Sequence, residues 1–181
     1  MGVEVHLRCD MCPRSEIVPF DEVVDGIQQL IDQGWEVYNL FGSEGVSHAY
    51  CPSCVEYHRL DQRMFSRCKP VPGADEGYYA TDTGELYWRW QHWDCDKQAW
   101  VVEWNPCEMR VDTGGYMHAS LKNKRKSVDV AVHRAVCAAW HGLPEGDRCC
   151  VDHINRVRSD NRPENLRYVP DETTAPKPVH P

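Results

Sequence analysis

The spacing of apolar residues in the first third of the chain predicts one amphipathic helix. Five of them recur at positions i, i+1, i+4, i+7 and i+8, which places them on one helix face: Val23, Val24, Ile27, Leu30 and Ile31. Asp21 is the expected N-cap, and Gly34 is the expected residue just beyond the helix. Residues 35–41 and 46–50 predict two strands joined by a turn at residues 42–45, so a hairpin follows the helix.

A second series of short apolar segments predicts further strands and a second helix. The predicted strands are residues 78–81, 85–88, 100–104 and 116–121. A turn at residues 82–84 joins the first two, and the basic turn Lys122–Lys126 follows the last. Residues 131–141 have the period of a helix that Gly142 ends, with one apolar face: Val132, Ala135, Val136, Ala139 and Trp140. Helices combined with hairpins predict an α+β fold.

The chain is predicted to have two modules. The first spans residues 4–66 and the second spans residues 77–181. Residues 67–76 are the predicted linker, because two prolines and a glycine interrupt any periodic pattern there. No apolar stretch approaches the length of a bilayer, and the first residues lack the basic and apolar regions of a signal peptide. We therefore expect neither a membrane-spanning segment nor secretion of the protein.

Ten cysteines without an export signal indicate metal ligands or free thiols rather than a disulfide framework. Four of them form two CxxC pairs: Cys9, Cys12, Cys51 and Cys54. Each two-residue spacer lets a tight turn present both sulfurs to one ion, and the predicted hairpin brings the second pair beside the first. Four thiolates suit a tetrahedral structural zinc ion, so the first module is predicted to be zinc-ribbon-like.

Two alternatives to this zinc site remain open. In one, the four cysteines are free buried thiols. In the other, a nearby histidine replaces one of them, and the candidates are His6, His48 and His58. The other cysteines share no such spacing and are interpreted as ordinary thiols or as a second metal site: Cys68, Cys95, Cys107, Cys137, Cys149 and Cys150.

Charge is unevenly distributed along the chain. The net charge of −8 by itself argues against binding to nucleic acid. Residues 1–109 have 8 basic and 19 acidic side chains, whereas residues 110–168 have 11 basic and 7 acidic ones. The basic segment is therefore expected to bind an anionic partner, and the acidic segment suits a protein partner better than DNA.

Three motifs follow one another in the last third of the chain. A helix with Val132-His133-Arg134 precedes Val151-Asp152-His153-Ile154-Asn155, and Asp160-Asn161-Arg162-Pro163-Glu164-Asn165-Leu166-Arg167 comes next. This order resembles the HNH endonucleases of the phage homing type, over roughly residues 77–170. The resemblance implies a ββα-metal domain in a cytoplasmic protein of a bacterial host, encoded by a phage or a mobile element.

The resemblance implies roles for three residues. His153 is the expected general base that activates water, and Asp152 is the expected ligand of a magnesium or manganese ion. Asn165 is expected to fix the loop and to orient His153. Phosphodiester cleavage needs such a base and such a cation. Because neighbouring residues of a strand point to opposite faces, joint action of Asp152 and His153 requires a bend or a bulge.

The chain departs from the family at the second metal ligand, which is expected about nine residues beyond Asn165. That position is Thr174, and nearby prolines disfavour the helix that carries the ligand in the family. Asp171 or Glu172 is the alternative source of a hard oxygen ligand. Three other polar residues are interpreted as packing or loop-shaping residues: His133, Asn155 and Asn161.

Basic residues crowd the segment that contains these motifs. They are expected to bind the backbone of double-stranded DNA, and the alternative is a solvated basic loop. The predicted DNA-binding residues are Lys122, Lys124, Arg125, Lys126, Arg134, Arg156 and Arg158. The seven tryptophans are expected mostly in the core, with base stacking by Trp88 and Trp90 as an alternative.

The predicted function is a metal-dependent DNA endonuclease that nicks or cleaves DNA. One active site per chain nicks one strand, unless the protein dimerises. The resemblance implies 5′-phosphate and 3′-hydroxyl products. One alternative is an HNH-fold DNA-binding or regulatory protein that has lost cleavage, which the departure at Thr174 favours. Another is a nuclease accessory to a packaging or repair complex, in which the acidic zinc module docks on a partner protein.

Overall fold

The computed structural model describes residues 4–19, 23–39, 48–144 and 149–171. These residues combine helices with mostly short strands, which confirms the α+β fold. In this part of the chain, no helix is long and apolar enough to cross a bilayer.

The chain divides into two compact units. One unit consists of Met1–Met64 with Trp90–Glu103, and the other consists of Phe65–Arg89 with Trp104–Pro181. Two strands of the middle of the chain therefore have residues in both units.

The first unit contains two short hairpins and two helices in its described residues. Its elements are β1 (Glu4–Arg8), β2 (Ser15–Pro19), α1 (Val23–Asp32), β3 (Glu36–Tyr38), β4 (His48–Tyr50) and α2 (Val55–Phe65). β1 pairs with β2, and β3 pairs with β4, both in antiparallel register. The predicted hairpin after the first helix is thus confirmed in its described strands. α2 was not predicted, because Val55 is its single buried residue and no apolar stripe marks it.

α1 buries a narrower face than its sequence predicts. Val23, Ile27 and Leu30 are buried, at the spacing i, i+4 and i+7. Val24 and Ile31 were predicted on the same face, but they are 73% and 44% exposed. That part of the prediction is wrong, because the helix packs along one edge and leaves the flank of its apolar stripe in solvent.

Two glycines determine how α1 packs and where it ends. A Cβ at Gly26 would overlap the Val18 side chain of β2, so the missing side chain lets the helix approach the hairpin closely. Gly34 has a φ of +93° and ends the helix as predicted. The predicted N-cap Asp21 and the predicted turn at residues 42–45 lie outside the described residues.

The second unit arranges its described strands in three sheets around one helix. The elements are β5 (Cys68–Pro70), β6 (Tyr78–Thr81), β7 (Leu86–Asp94), β8 (Ala99–Pro106), β9 (Met109–Val111), β10 (Met117–Asn123), β11 (Lys126–Ala131), α3 (Val132–His141), β12 (Cys149–His153) and β13 (Leu166–Pro170). The sheet orders are β5-β6-β7-β8, β9-β10-β11 and β12-β13. β7 and β8 are the strands with residues in both units.

α3 forms the centre of the core of the second unit. Its residues Val132, Val136 and Cys137 are fully buried. Residues from four strands pack in the same cluster: Ala80, Leu86, Ala119, Leu121 and Leu166. The helix predicted at residues 131–141 is therefore confirmed, and its packing holds β10, β12 and β13 around one face.

Residues 67–76, the predicted linker, contain a strand and a buried side chain. β5 pairs with β6 in antiparallel register, and Val71 is buried. Pro70 is compatible with this strand because β5 lies at the edge of its sheet, where a missing N–H group removes no ladder bond. The module boundaries at 4–66 and 77–181 stay a prediction, and the two compact units divide the chain differently.

Candidate metal and nuclease sites

The two CxxC pairs converge on one point of the first unit. The ligand sulfurs of Cys9, Cys12, Cys51 and Cys54 all lie within 4.8 Å of one another. The Sγ atoms of Cys12 and Cys51 are 3.6 Å apart. Four sulfurs around one zinc ion, with Zn–S bonds of about 2.3 Å, would be about 3.8 Å apart. The cluster therefore has the size of a tetrahedral thiolate site and could hold a metal such as zinc.

Backbone hydrogen bonds bring the two pairs together. The first pair follows β1, and the second lies between β4 and α2. The N–H of Asp10 donates to the carbonyl oxygen of Ala49 at 2.8 Å, which joins the first CxxC turn to β4. The N–H of Cys51 donates to Sγ of Cys9 at 3.4 Å. An N–H group that points at a sulfur favours the thiolate, which is the form that binds a metal.

The buried thiols of the cluster need a cation to ionise together. Burial raises the pKa of Cys12 to about 11 and also raises the pKa of Cys54. Burial acts in the same direction on Cys51, but hydrogen bonds from Cys12 and Cys54 outweigh it and lower the pKa of Cys51. A bound cation would stabilise the remaining thiolates, so metal binding is expected to release protons.

The three nearby histidines have contacts of their own. His48 Nδ1 lies 2.9 Å from Asp10 Oδ2, and the ring of His58 stacks on Tyr50 with centroids 3.7 Å apart. His6 lies beside a glutamate of β1. Among the described residues, these four cysteines are the one set of three or more metal-ligating side chains whose ligand atoms lie close together. The alternative of a histidine ligand has no support there, and the other six cysteines form no second site in that part of the chain.

Asp152 and His153 end β12 in a regular ladder with β13. Asp152 is paired with Arg167, and His153 is paired with Leu166. Oδ2 of Asp152 accepts hydrogen bonds from Arg167 Nη2 at 2.8 Å and Nε at 3.1 Å. His153 is only 5% exposed and contacts other residues. No bulge interrupts this described ladder, so it does not contain the bend that joint action of the two side chains requires.

The side chain of Asn161 orients His153. Nε2 of His153 lies 3.1 Å from Oδ1 of Asn161, and Nδ2 of Asn161 lies 3.3 Å from Sδ of Met117. Because a thioether sulfur only accepts, the amide directs its NH₂ group to Met117 and its oxygen to His153. Nε2 therefore has the hydrogen, and Nδ1 has the lone pair with which an imidazole accepts a proton.

The backbone of Asn161 is held by the turn between β6 and β7. A Cβ on Gly84 would overlap the backbone of Asn161, and Gly84 itself has a φ of +84°. Only glycine combines this left-handed conformation with so close an approach. The amide that faces His153 is thus fixed by its own backbone as well as by Met117.

Asn165 stabilises the loop that follows His153. Oδ1 of Asn165 accepts the N–H of Asn155 at 3.0 Å, and Nδ2 donates to the carbonyl oxygen of Asp160 at 2.8 Å. Asp160 in turn accepts a hydrogen bond from Arg162 at 2.8 Å, which holds the pKa of this carboxyl well below its usual range. Asn165 therefore fixes the loop, whereas the contact with His153 comes from Asn161, a residue that the sequence placed outside the site.

His133 and Tyr116 complete an aromatic cluster around His153. His133 is 6% exposed, and its ring centroid lies 5.2 Å from that of His153 and 5.1 Å from that of Tyr116. Burial, followed by the neighbouring His153, lowers the pKa of His133 to about 4, so its imidazole is neutral near pH 7. The sequence missed this residue because a histidine on an apolar helix face is usually a packing residue. The signal that could have found it is its place in the Val132-His133-Arg134 motif.

The basic residues predicted to bind DNA lie on three segments of the second unit. Lys122 lies on β10 and Lys126 lies on β11, and Lys124 and Arg125 form the turn between these strands. Arg134 lies on α3, and Arg156 and Arg158 lie in the loop after β12. The N–H groups of Lys124 and Arg125 both donate to the Asp75 carboxylate, which holds the turn and leaves both side chains exposed. The side chain of Arg158, in contrast, has partners within the protein. Its guanidinium lies 4.8 Å from the Tyr116 ring centroid and donates to the carbonyl oxygen of Gly114.

A match to a protein-family model agrees with the resemblance seen in the motifs. Residues 130–175, which include α3, β12 and β13, match the family model of the HNH endonucleases. The chain is also similar to a solved structure of the HNH homing endonuclease I-HmuI, which concerns DNA binding and cleavage by that protein. The identity is 24% and the TM-score is 0.44, over 59% of this chain and 53% of the other. The chain thus spans about half the length of that protein. No curated protein sequence matches it.

Proposed function

We propose that this chain, in the segment that matches the HNH endonucleases, is a metal-dependent nuclease that hydrolyses phosphodiester bonds of double-stranded DNA. The observation that supports it best is the arrangement of His153. This buried imidazole is held at Nε2 by Asn161, so its Nδ1 has a free lone pair. A histidine with a fixed tautomer is suited to take a proton from water near neutral pH.

In the proposed reaction a water molecule attacks phosphorus while Nδ1 of His153 takes its proton. The hydrogen bond from Nε2–H to Oδ1 of Asn161 keeps the ring in the tautomer that exposes Nδ1. The same oxygen stabilises the imidazolium once the proton has been taken. As the new P–O bond forms, the P–O3′ bond breaks and the leaving 3′ oxygen takes a proton from solvent. The products are a 5′-phosphate and a 3′-hydroxyl, as in the HNH endonucleases that the motifs resemble.

A magnesium or manganese ion belongs to the proposal, with Asp152 as one ligand. A carboxylate is the hard oxygen donor that these ions take, and a bound ion would neutralise charge on the phosphoryl oxygens. Arg167 shares this carboxylate, and no three ligand side chains gather around Asp152 in the described part of the chain. The described part of the chain does not supply the second ligand from Asp171. This residue follows Pro170, which pairs with Cys149, so it lies about 13 Å along the strand from Arg167, the partner of Asp152. Glu172 and Thr174 lie outside the described residues.

We assign the cysteine cluster to a structural zinc ion. Four protein thiolates fill a tetrahedral site, so no coordination position is left for a substrate. The cluster lies in the first unit, whereas the residues assigned to cleavage all lie in the second. Zinc would thus stabilise the first unit and take no part in the reaction. A protein partner on this acidic unit stays a prediction.

The positioning role of Asn161 predicts a change in the pH dependence of nicking. Asn161→Asp keeps the shape of the side chain but places a carboxylate beside Nε2–H of His153. Because the new charge stabilises the imidazolium, the acid limb of the pH–rate profile is expected to move to higher pH. Asn161→Ala is expected to lower kcat without weakening DNA binding. Identical acid limbs in wild type and Asn161→Asp would show that this amide does not act through His153.

The basic turn predicts a steep salt dependence of DNA binding. Backbone contacts release counterions, and each lost contact lowers the slope of log affinity against log salt by about 1. Replacing Lys122, Lys124, Arg125 and Lys126 by glutamine is expected to lower that slope by about 4 if all four contact phosphates. Arg63→Gln in α2 is the control for the loss of one positive charge elsewhere in the chain, and it is expected to leave the slope unchanged, whereas Lys124→Gln alone is expected to lower it by about 1. Equal slopes in wild type and the fourfold variant would contradict this surface.

The proposed function is tested with supercoiled plasmid. Purified protein with magnesium or manganese is expected to convert the plasmid to the open circular form, because one active site per chain nicks one strand. A chelator of divalent ions is expected to stop the reaction. Plasmid that stays supercoiled with every divalent metal tested, at protein concentrations that bind it fully, would contradict the proposal.

One observation favours a second candidate, an HNH-fold protein that binds DNA without cutting it. The carboxylate of Asp152 is already held by the guanidinium of Arg167, through two hydrogen bonds. A metal ion must compete with this partner. Arg167→Gln distinguishes the candidates: it is expected to lower the metal concentration for half-maximal nicking in an active enzyme. A protein that nicks only after this change would be a degenerate nuclease.

A further inference from the structure

The N-terminus of α3 lies at a cavity of about 740 Å³ in the second unit. Ala131, His133 and Arg134 line it from the helix side, and Lys122 lines it from β10. The sequence predicts Arg134 and Lys122 only as parts of a general basic surface. Their common cavity, beside the aromatic cluster of His153, allows a more specific inference.

The start of α3 has no side chain that neutralises it. Ala131 is the N-cap residue, no side chain caps the helix, and no acidic residue occurs in its first turn. The first N–H groups of a helix have no partner within the helix, and the aligned peptide dipoles give this end a partial positive charge. An uncapped helix terminus of this kind favours an anion.

The side chains at the cavity add positive charge. Arg134 and Lys122 are exposed and form no ion pair among the described residues. Asp129 also lines the cavity, but its carboxylate is held by Arg110 at 2.6 Å and by Nδ1 of His118 at 3.0 Å. The carboxylate of Asp129 therefore does not neutralise the positive charges of Arg134 and Lys122.

An unpartnered histidine provides an observation independent of the helix end. His133 is 6% exposed and lines the cavity, and its Nδ1 is buried without a hydrogen-bond partner among the described residues. Buried polar atoms of side chains almost always have a partner, so an exception indicates a group that the chain does not supply. His133, the start of α3 and the two cations all line one cavity.

We infer that this cavity binds a phosphate group of the DNA backbone, next to the phosphate that is cleaved. The inference rests on the proposed function and adds a second contact between the protein and the DNA strand that is cleaved. The ring centroids of His133 and His153 are 5.2 Å apart. One strand can therefore present its scissile phosphate to His153 and a neighbouring phosphate to the start of α3. This contact fixes the register of the strand over the base.

A pair of isosteric substitutions at the N-cap tests the site. Ala131 has the extended conformation of an N-cap, with φ −72° and ψ 123°, so both asparagine and aspartate are expected to cap α3 there. Both variants are expected to melt at a higher temperature than wild type. Only Ala131→Asp places a negative charge where the phosphate binds. Its affinity for duplex DNA, measured in chelator without cleavage, is expected to be about tenfold lower than that of Ala131→Asn.

Inorganic phosphate is the second probe, used on the full chain at constant ionic strength. Phosphate is expected to raise the melting temperature of wild type and Ala131→Asn relative to chloride, but not that of Ala131→Asp. Saturating duplex DNA is expected to displace the phosphate. Phosphate that stays bound in the presence of duplex would overturn the assignment to the DNA backbone.

The outcomes separate this inference from the proposed function. If Ala131→Asp binds phosphate and duplex as well as Ala131→Asn does, the site is wrong, whether or not plasmid is nicked. If Ala131→Asp alone loses both ligands while no variant nicks plasmid, the phosphate site is confirmed and the nuclease proposal is wrong.

Discussion

His153→Ala is expected to lower the rate of plasmid nicking by about 10²- to 10⁴-fold, the usual contribution of a general base. Affinity for DNA is expected to stay within about twofold of wild type, because the lost group acts in the reaction and not in binding. Single-turnover nicking and a binding titration in chelator measure the two quantities separately. The large effect follows from the position of His153, which is buried and hydrogen-bonded at Nε2 by Asn161.

Added imidazole distinguishes a lost base from a damaged fold. Free imidazole added to the solution is expected to restore part of the nicking rate of His153→Ala, since it can occupy the place of the missing ring. His6→Ala is the matched control, because His6 is exposed in the first unit, and it is expected to nick at the wild-type rate. Unchanged nicking by His153→Ala would place the active site elsewhere in the chain.

Cys51→Ser is expected to release the metal ion and to unfold the first unit. Wild-type protein is expected to contain about one zinc ion per chain, held by the four sulfurs that lie within 4.8 Å of one another. The binding energy of a structural zinc ion is folding energy, on the order of 10 kcal/mol or more in small zinc modules. Metal analysis and circular dichroism of the variant measure the two losses.

Cys95→Ser is the matched control for this prediction. Cys95 is a free, exposed cysteine of the same unit and lies outside the cluster. It is expected to keep its zinc and its melting temperature. Wild-type protein that is folded and free of metal, or a Cys51→Ser variant that keeps its zinc, would contradict the zinc assignment.

The parts of the fold that the sequence predicts are those where local patterns and tertiary packing agree. The helix at residues 131–141 has one continuous apolar face, and α3 buries that face in the core. The convergence of the CxxC pairs also follows from local geometry, since a hairpin brings the second pair back beside the first. β11 was missed because its residues are exposed or half-buried and show no alternation of burial. β5 was missed because Pro70 disfavours a strand in the sequence but is compatible with a sheet edge, and the sequence does not show where the edges lie.

The sequence predicts only part of the candidate site, for a similar reason. The ordered motifs identify Asp152, His153 and Asn165, but they do not show which asparagine contacts the base. That contact depends on Met117 and Gly84, which approach Asn161 from other segments of the second unit. Such contacts between residues distant in sequence leave no pattern in a single chain.

Cleavage of a DNA duplex in water enriched in ¹⁸O, followed by mass spectrometry of the products, tests whether activated water attacks the phosphorus. A nuclease that activates water with His153 is expected to place one ¹⁸O atom on the new 5′-phosphate and none on the new 3′-hydroxyl. The same label is expected in the small amount of product that imidazole restores to His153→Ala. Cleavage products that end in a 3′-phosphate, or a 5′-phosphate without the label, would contradict the account.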